Sequence, residues 1–131
     1  RYKEHRKILE KNGLDAEEMI AMRKNLHRNP EGGFKEFDTQ KVIREKLLKL
    51  GVPAEKISDC VGTGLVVDIC GTGEGTTKGI KTIAIRADMD GLPMPENNPH
   101  LEYVTQTKFA HLCGHDGHMS TVTSVAQVLM A

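Results

Sequence analysis

Residues 111–118 read HLCGHDGH and are the part of this sequence richest in groups that could do chemistry. Its three imidazoles, one thiol and one carboxylate offer nitrogen, sulfur and oxygen donors, which borderline-soft divalent metals prefer. The two glycines allow sharp turns that let neighbouring side chains converge on one point. We therefore expect Cys113 and His115 to have a metal-binding or catalytic role. Three further residues are candidates for ligand support or helix capping: His111, Asp116 and His118.

Two more carboxylates, Asp88 and Asp90, follow an apolar run at residues 81–87, which read KTIAIRA. The composition of this run predicts a largely buried strand, and the Gly and Pro that come soon after it end the strand. Open α/β sheets place their ligands at the carboxyl ends of strands. We therefore expect both carboxylates to lie at the functional site.

The isolated cysteines and histidines support structural interpretations. Cys60 and Cys70 lie in or beside apolar runs, which is typical of small buried hydrophobes. A histidine outside a cluster of donors is more often a structural or surface residue than a ligand, and this is our interpretation of His5 and His100. These four residues are therefore not candidates for the site.

The first half of the chain has helical patterns. Residues 1–12 predict a short amphipathic helix or a frayed arm. Asp15 and Glu18 resemble a capping box for a second helix, which should end near Asn29 because a proline follows. A third helix is predicted from residue 38 or 39 to a glycine at position 51, with apolar residues on one face.

Extended patterns follow, and a last helix completes the sequence. Residues 65–70 predict a strand, and the Gly- and Thr-rich residues 71–79 predict a solvated loop. Residues 94–110 lack periodicity and predict a long loop over the site. A helix is expected from residue 116 or 117 onward, buried against the sheet. This order predicts an α/β layered domain whose sheet is incomplete in this chain.

Composition excludes several classes of function. The 131 residues bound the chain to one domain at most, and 18 basic residues balance 18 acidic ones. This balance, with 4% aromatic residues and no Trp, gives no reason to expect nucleic acid or an anionic membrane as partner. No stretch approaches the ~18 apolar residues of a membrane span. Three cysteines without framework spacing suit a reducing compartment, so we expect a cytoplasmic protein.

The two motifs together resemble a known family. Residues 86–93 (RADMDGLP) and 111–118 are similar to the signature pair of the aminoacylase/carboxypeptidase-type metallohydrolases. The match is to the amidohydrolase branch, which includes hippurate hydrolases, N-acyl-amino-acid amidohydrolases and auxin-conjugate hydrolases. Residues 23–34, with Glu36 and Thr39 after them, resemble the opening helix-and-turn motif of that branch. The resemblance covers nearly the whole chain from about residue 15.

The resemblance implies a fold and a site. The fold would be a three-layer α/β sandwich catalytic domain with a smaller lid domain that also dimerises, and residues 1–131 would be its N-terminal portion. The site would bind two divalent ions, zinc or manganese, with Cys113 and His115 as ligands and Asp88 as an aspartate that supports them. Three residues belong to the signature without an assigned metal bond: Asp90, Asp116 and His118. For His27 and Glu31, turn-forming structure is the favoured interpretation.

The implied activity is hydrolysis of the amide bond of N-acyl amino acids or related conjugates. The family's other ligands are a glutamate beside the catalytic glutamate base and two histidines, and none can be matched here. Two ligands cannot hold two metals in closed geometry. We therefore expect this chain, as a fragment of a homodimeric enzyme, to bind metal weakly and to be inactive alone.

Two other functions remain open at this point. The chain could be a non-catalytic module with one structural metal held by Cys113, His115 and a neighbouring histidine. It could also be a thiol enzyme with Cys113 as nucleophile and either His115 or His118 as base. Chelation distinguishes the first, because it would unfold a structural-metal module. Alkylation distinguishes the second, because it would block a thiol enzyme that chelation leaves active.

Overall fold

A computed structural model describes residues 2–71 and 82–131. Four helices and one two-stranded sheet lie within these ranges. In chain order they are α1 (Tyr2–Lys11), α2 (Ala16–Arg28), α3 (Phe37–Lys49), β1 (Ile57–Cys60), β2 (Gly64–Val67) and α4 (His115–Met130). A single 3-10 turn, Ala54–Lys56, precedes β1. This mixture of helices with a small antiparallel sheet is compatible with the predicted α/β class.

The boundaries of α2 follow the predicted signals. The Asp15 side chain caps the helix by accepting a hydrogen bond from the Glu17 amide at 2.8 Å. The helix ends at Arg28, with Asn29 as its C-terminal cap, immediately before the proline that restricts helical geometry. Both predicted ends are confirmed.

Glu31 has the structural role that the sequence predicted. Its carboxylate accepts hydrogen bonds from the Thr39 amide at 2.7 Å and the Thr39 hydroxyl at 2.8 Å, and from the Asp38 amide at 3.2 Å. These are first-turn groups of α3 that have no partner inside the helix. The turn after α2 is therefore tied to the start of α3, which begins at Phe37, one residue earlier than expected.

The sheet differs from the prediction in two ways. β1 pairs antiparallel with β2, from Ile57 opposite Val67 to Cys60 opposite Gly64, and β1 was not predicted because most of it is polar and exposed. The predicted strand at residues 81–87 is wrong over its described part, 82–87, which forms no strand. No described strand donates the ladder hydrogen bonds that this run would need. Its Ile83 is 84% exposed rather than buried.

The core lies between three helices and the hairpin. Helix α4 packs mainly against α2 and α3, which corrects the expectation that it is buried against the sheet. Met119 of α4 is the largest apolar side chain in this core, and Leu65 and Val67 of β2 cover one side. The Ser120 hydroxyl donates to the Met19 carbonyl at 2.8 Å and links α4 to α2. This hydrogen bond lies beyond the first turn of α4, in which His115 and Asp116 stand.

The isolated residues divide between confirmed and corrected predictions. His5 and His100 are exposed, as a surface interpretation requires. Cys60 and Cys70 are exposed, so the prediction that they are buried is wrong. Cys60 is the last residue of β1 and Cys70 lies three residues after β2, and no element within the described ranges covers either side chain. The loop predicted at 71–79 lies outside the described residues, apart from its first glycine. Among the described residues, no helix is long and apolar enough to cross a membrane.

Candidate functional site

A pair of backbone hydrogen bonds brings the two sequence motifs together. Leu92 and Ala110 form an antiparallel bridge, with N–O distances of 2.9 and 3.0 Å, at the two ends of the long loop. Beyond the bridge the chain turns at Gly114, which has φ +85° and is the N-terminal cap of α4. Because other residues rarely adopt this conformation, Gly114 allows Cys113 and His115 to flank a sharp turn.

The turn after α2 supports the aspartate-bearing segment. The Gly91 amide donates to the Glu31 carbonyl at 2.7 Å, and a Cβ on Gly91 would lie 2.8 Å from the Cβ of Pro30. A Cβ on Gly32 would lie 2.6 Å from the Phe109 ring. Such distances are too short for carbon atoms, so a larger residue at Gly91 would displace Pro30 and one at Gly32 would displace the Phe109 ring. The opening motif therefore packs directly against the segment that carries Asp90.

His115 is oriented by the aspartate segment. Its Nδ1 donates to the Asp90 carbonyl oxygen at 2.8 Å, and the Asp90 Oδ1 lies 3.3 Å from the same nitrogen. A proton on Nδ1 leaves the Nε2 lone pair free, which is the arrangement of a metal-ligating histidine. Nε2 lies 3.9 Å from Asp88 Oδ2, and Asp88 also forms an ion pair with Arg86. Three of the predicted site residues therefore meet here.

His111 lies beside this group and is 3% exposed. Neither of its ring nitrogens has a hydrogen-bond partner within the described residues. Burial lowers the pKa of His111, and the negative charge of Asp116 only partly offsets this. Its ring centroid is 6.5 Å from that of His115. An imidazole kept neutral by burial, with an unpaired nitrogen, has the donor chemistry that divalent metals use. We call Asp88, Asp90, His111 and His115 the open cluster.

The donor types of the open cluster fit a metal ion, although the described residues contain no group of three or more His, Cys, Asp or Glu side chains arranged to hold one. The fit rests on the unpaired His111 nitrogens and the free Nε2 of His115. The Cys113 thiol, two residues before His115, is exposed. His118 is exposed on the first turn of α4, with its ring 6.0 Å from that of His115.

Asp116 faces a second group of charges. Its Oδ2 accepts hydrogen bonds from His27 Nδ1 at 2.8 Å and from Arg23 Nε at 2.6 Å. His27 Nε2 donates to Glu96 Oε1 at 2.9 Å. We call these four residues the buried bridge. The prediction that His27 forms a turn is wrong, because it lies buried inside α2 between two carboxylates.

Sequence reasoning missed Arg23 and Glu96. Burial raises the pKa of Glu96, but hydrogen bonds from His27, Thr105 and Asn98 outweigh it and lower the pKa to about 2. Glu96 is therefore ionised at neutral pH. Glu96 lies in residues 94–110, which have no periodic pattern that would mark it. The one available signal was that two of its eventual neighbours, His27 and Asp116, belong to the recognised motifs.

The geometry places the nitrogen and oxygen donors of the open cluster at the N-terminus of α4, with the exposed Cys113 thiol two residues before His115. This is the type of site that hydrolases build around divalent metals. The chain is 40% identical over 113 residues, 86% of its length, to thermostable carboxypeptidase 1 of Saccharolobus solfataricus. It is 37% identical over 85% of its length to IAA-amino acid hydrolase ILR1-like 2 of Arabidopsis thaliana. It is 39% identical over 81% of its length to N-acetyldiaminopimelate deacetylase of Anoxybacillus flavithermus.

These similarities confirm the resemblance seen in the motifs. Over more than four fifths of its length the chain is similar to hydrolytic enzymes of the amidohydrolase branch of the aminoacylase/carboxypeptidase family. It covers 27%, 24% and 26% of these three relatives, so it spans about a quarter of their length. No protein-family model matches the chain.

Proposed function

We propose that the protein containing this chain hydrolyses the amide bond of N-acyl amino acids or related amino-acid conjugates. The names of the relatives support hydrolysis: a carboxypeptidase, an amino acid hydrolase and a deacetylase. The observation that carries the proposal is the orientation of His115, whose Nε2 is free and faces Asp88. Since the chain spans about a quarter of these relatives, the activity is proposed for the whole protein and not for these residues alone.

The residues of this chain would act by binding and orientation. Cys113 as thiolate and the Nε2 of His115 would hold part of a pair of divalent ions, zinc or manganese, because sulfur and imidazole donors disfavour magnesium and calcium. When bound, such ions lower the pKa of a water molecule and polarise the carbonyl oxygen. Asp88 would support the ligands, and the Asp90 carbonyl would keep the proton of His115 on Nδ1. The glutamate base would come from outside this chain.

The test uses the protein expressed from the complete reading frame that contains this sequence. We expect Cys113→Ala and His115→Ala each to abolish metal-dependent release of an amino acid from N-acetyl amino acids. Circular dichroism should show an unchanged fold. Matched controls are Cys70→Ala and His100→Ala, which remove the same groups from exposed positions outside the site. Normal turnover by a folded Cys113→Ala protein would contradict the ligand assignment.

The same protein distinguishes the other functions. Chelation should stop hydrolysis reversibly without unfolding the protein, and added zinc or manganese should restore it. Unfolding by a chelator would favour a structural-metal module instead. Inhibition by thiol alkylation combined with resistance to chelation would favour Cys113 as a nucleophile.

Further parts of the proposal concern the surroundings of the site. We propose that residues 1–131 form part of a three-layer α/β catalytic domain. The exposure of the β-branched side chains of Ile83 and Ile85 supports this, because further strands of the whole protein would pair with this segment and cover its apolar side chains. A homodimer and a cytoplasmic location complete the proposal, the latter supported by three unpaired cysteines. Sedimentation of the whole protein tests the dimer.

A further inference from the structure

The buried bridge joins three separate parts of the chain. His27 belongs to α2, Glu96 to the long loop and Asp116 to the first turn of α4. Their side chains are only 5%, 0% and 1% exposed. The His27 ring also meets the edge of the Tyr103 ring, with centroids 5.3 Å apart, and the Arg23 guanidinium donates to the Tyr103 hydroxyl at 3.2 Å. The long loop is thus held to α2 by two of its side chains.

The hydrogen-bonding capacity of His27 explains why an imidazole stands at this position. A carboxylate only accepts hydrogen bonds, and His27 faces a carboxylate with each ring nitrogen. Both nitrogens must therefore donate, in opposite directions and from a rigid ring. A side chain that donates in only one direction would remove one hydrogen bond from either Glu96 or Asp116. Glu96 would keep the donors of Thr105 and Asn98, and Asp116 would keep that of Arg23. Removing a donor from a carboxylate of low exposure is costly.

We propose that His27 is a positioning residue for the candidate metal site, acting through Asp116 on His115. Asp116 follows His115 directly and lies three residues after Cys113, on a turn that Gly114 makes sharp. Fixing the Asp116 carboxylate fixes the first turn of α4, and with it the direction in which the His115 ring meets the Asp90 carbonyl. This inference rests on the proposed function, because the orientation of His115 has a consequence only if His115 binds a metal ion.

The first experiment needs no metal. In metal-free whole protein labelled with 15N-histidine, long-range proton–nitrogen spectra report which ring nitrogen of His115 carries the proton. We expect the wild type to show the Nδ1–H form that the Asp90 carbonyl selects. In His27→Gln the amide nitrogen can donate to one carboxylate, but the amide oxygen then faces the other, and we expect a mixture of the two forms. The assignment of the His115 signals comes from His115→Ala.

The second experiment measures binding of cobalt(II) alone, which gives a thiolate charge-transfer band when a cysteine ligates it. We expect His27→Gln to weaken cobalt binding about tenfold, which is typical when a residue that orients a metal-ligating side chain is lost. Ser120→Ala is the matched control, because it also removes a buried polar link between α4 and α2 but lies beyond the first turn. It should leave both the His115 proton position and cobalt affinity unchanged.

The outcomes separate this proposal from the proposed function. Unchanged ring spectra and cobalt affinity in folded His27→Gln would overturn the positioning role, as would an equal loss in Ser120→Ala. Absence of a cobalt band in the wild type would overturn the metal assignment, while the ring spectra would still decide the role of His27. Should His27→Gln fail to fold, Glu96→Gln weakens the same bridge from its other end and is expected to shift the His115 ring spectra in the same direction.

Discussion

The buried bridge and the open cluster lie on either side of the same turn, and they differ in how their titratable side chains are paired. In the buried bridge, His27 contacts a carboxylate through each ring nitrogen, and the Arg23 guanidinium pairs with Asp116. In the open cluster, the nitrogens of His111 have no hydrogen-bond partner in the part of the chain that the structure describes, and the Nε2 of His115 is 3.9 Å from the Oδ2 of Asp88. The imidazole of the buried bridge is therefore paired at both nitrogens, although Asp116 Oδ1 has no hydrogen-bond partner among the described residues, whereas the imidazoles of the open cluster keep free electron pairs.

This difference separates stability from function. Buried charges are tolerated when they are paired, so the bridge fits a role in holding α2, the long loop and α4 together. Buried groups without partners cost free energy, and a protein retains them where a ligand completes them. Substitutions in the bridge should therefore act first on stability, and substitutions in the open cluster should act first on metal binding.

The largest expected effect on stability is that of Asp116→Ala. This change leaves His27 and Arg23 without their shared carboxylate in a site where Asp116 is 1% exposed. Breaking a buried pair costs about 3–5 kcal/mol, and the partial exposure of Arg23 places the expected loss near the lower value. Urea unfolding of the metal-free protein measures it.

Asp90→Ala is the control for that comparison. Its carboxylate is 39% exposed, and the hydrogen bond to His115 uses the backbone carbonyl, which the substitution retains. We expect a loss below about 1 kcal/mol, as for other exposed pairs. Equal losses from the two aspartates would remove the distinction between bridge and cluster.

A smaller effect, on binding instead of stability, is expected for Asp88→Asn. The amide keeps the size of the side chain but loses the charge that faces His115 Nε2. We expect zinc or manganese affinity to fall about tenfold and hydrolysis to fall with it, whereas loss of a ligand abolishes activity. Asp68→Asn, at an exposed position after β2, is the control for titrations of the whole protein. Unchanged affinity and rate would remove Asp88 from the site.

Local signals in the sequence predicted part of the fold. The ends of α2 and the start of α4 depend on caps, a proline and a glycine, all within a few residues of where they act. The strand predicted at 81–87 failed over residues 82–87 because a strand depends on partners elsewhere in the chain. β1 was missed for the opposite reason, since its pairing with β2 outweighs its polar composition.

The site was predicted to a similar extent. Motif spacing placed Asp88, Asp90 and His115 in one region, and the structure brings them together. The role of Cys113 stays a prediction. The partners of His27 could not be read from spacing, because Glu96 lies 69 residues away and Asp116 lies 89 residues away. Such contacts depend on how α2, the long loop and α4 pack, which no local pattern encodes.

The smallest expected effect is the loss of stability in Glu96→Gln, and its dependence on pH tests the buried bridge. The pKa of Glu96 is lowered from 4.5 to about 2, so the unfolded chain binds a proton at Glu96 before the folded protein does. The stabilisation from this carboxylate is therefore fully present above pH 4.5 and is lost as the pH falls toward 2. In Glu96→Gln the side chain cannot titrate. The difference in free energy of unfolding between wild type and Glu96→Gln should narrow as the pH falls below 4.5.

Urea unfolding at several pH values measures this narrowing, with Glu102→Gln as the control from an exposed position on the same loop. The difference at neutral pH should be about 1 kcal/mol, the net value of one hydrogen bond, because the amide of Gln keeps an acceptor oxygen. The Glu102→Gln protein should follow the wild type throughout. A difference that stays constant below pH 4.5 would mean that Glu96 is not held ionised by His27, and the bridge would then lose the charge that distinguishes it from the open cluster.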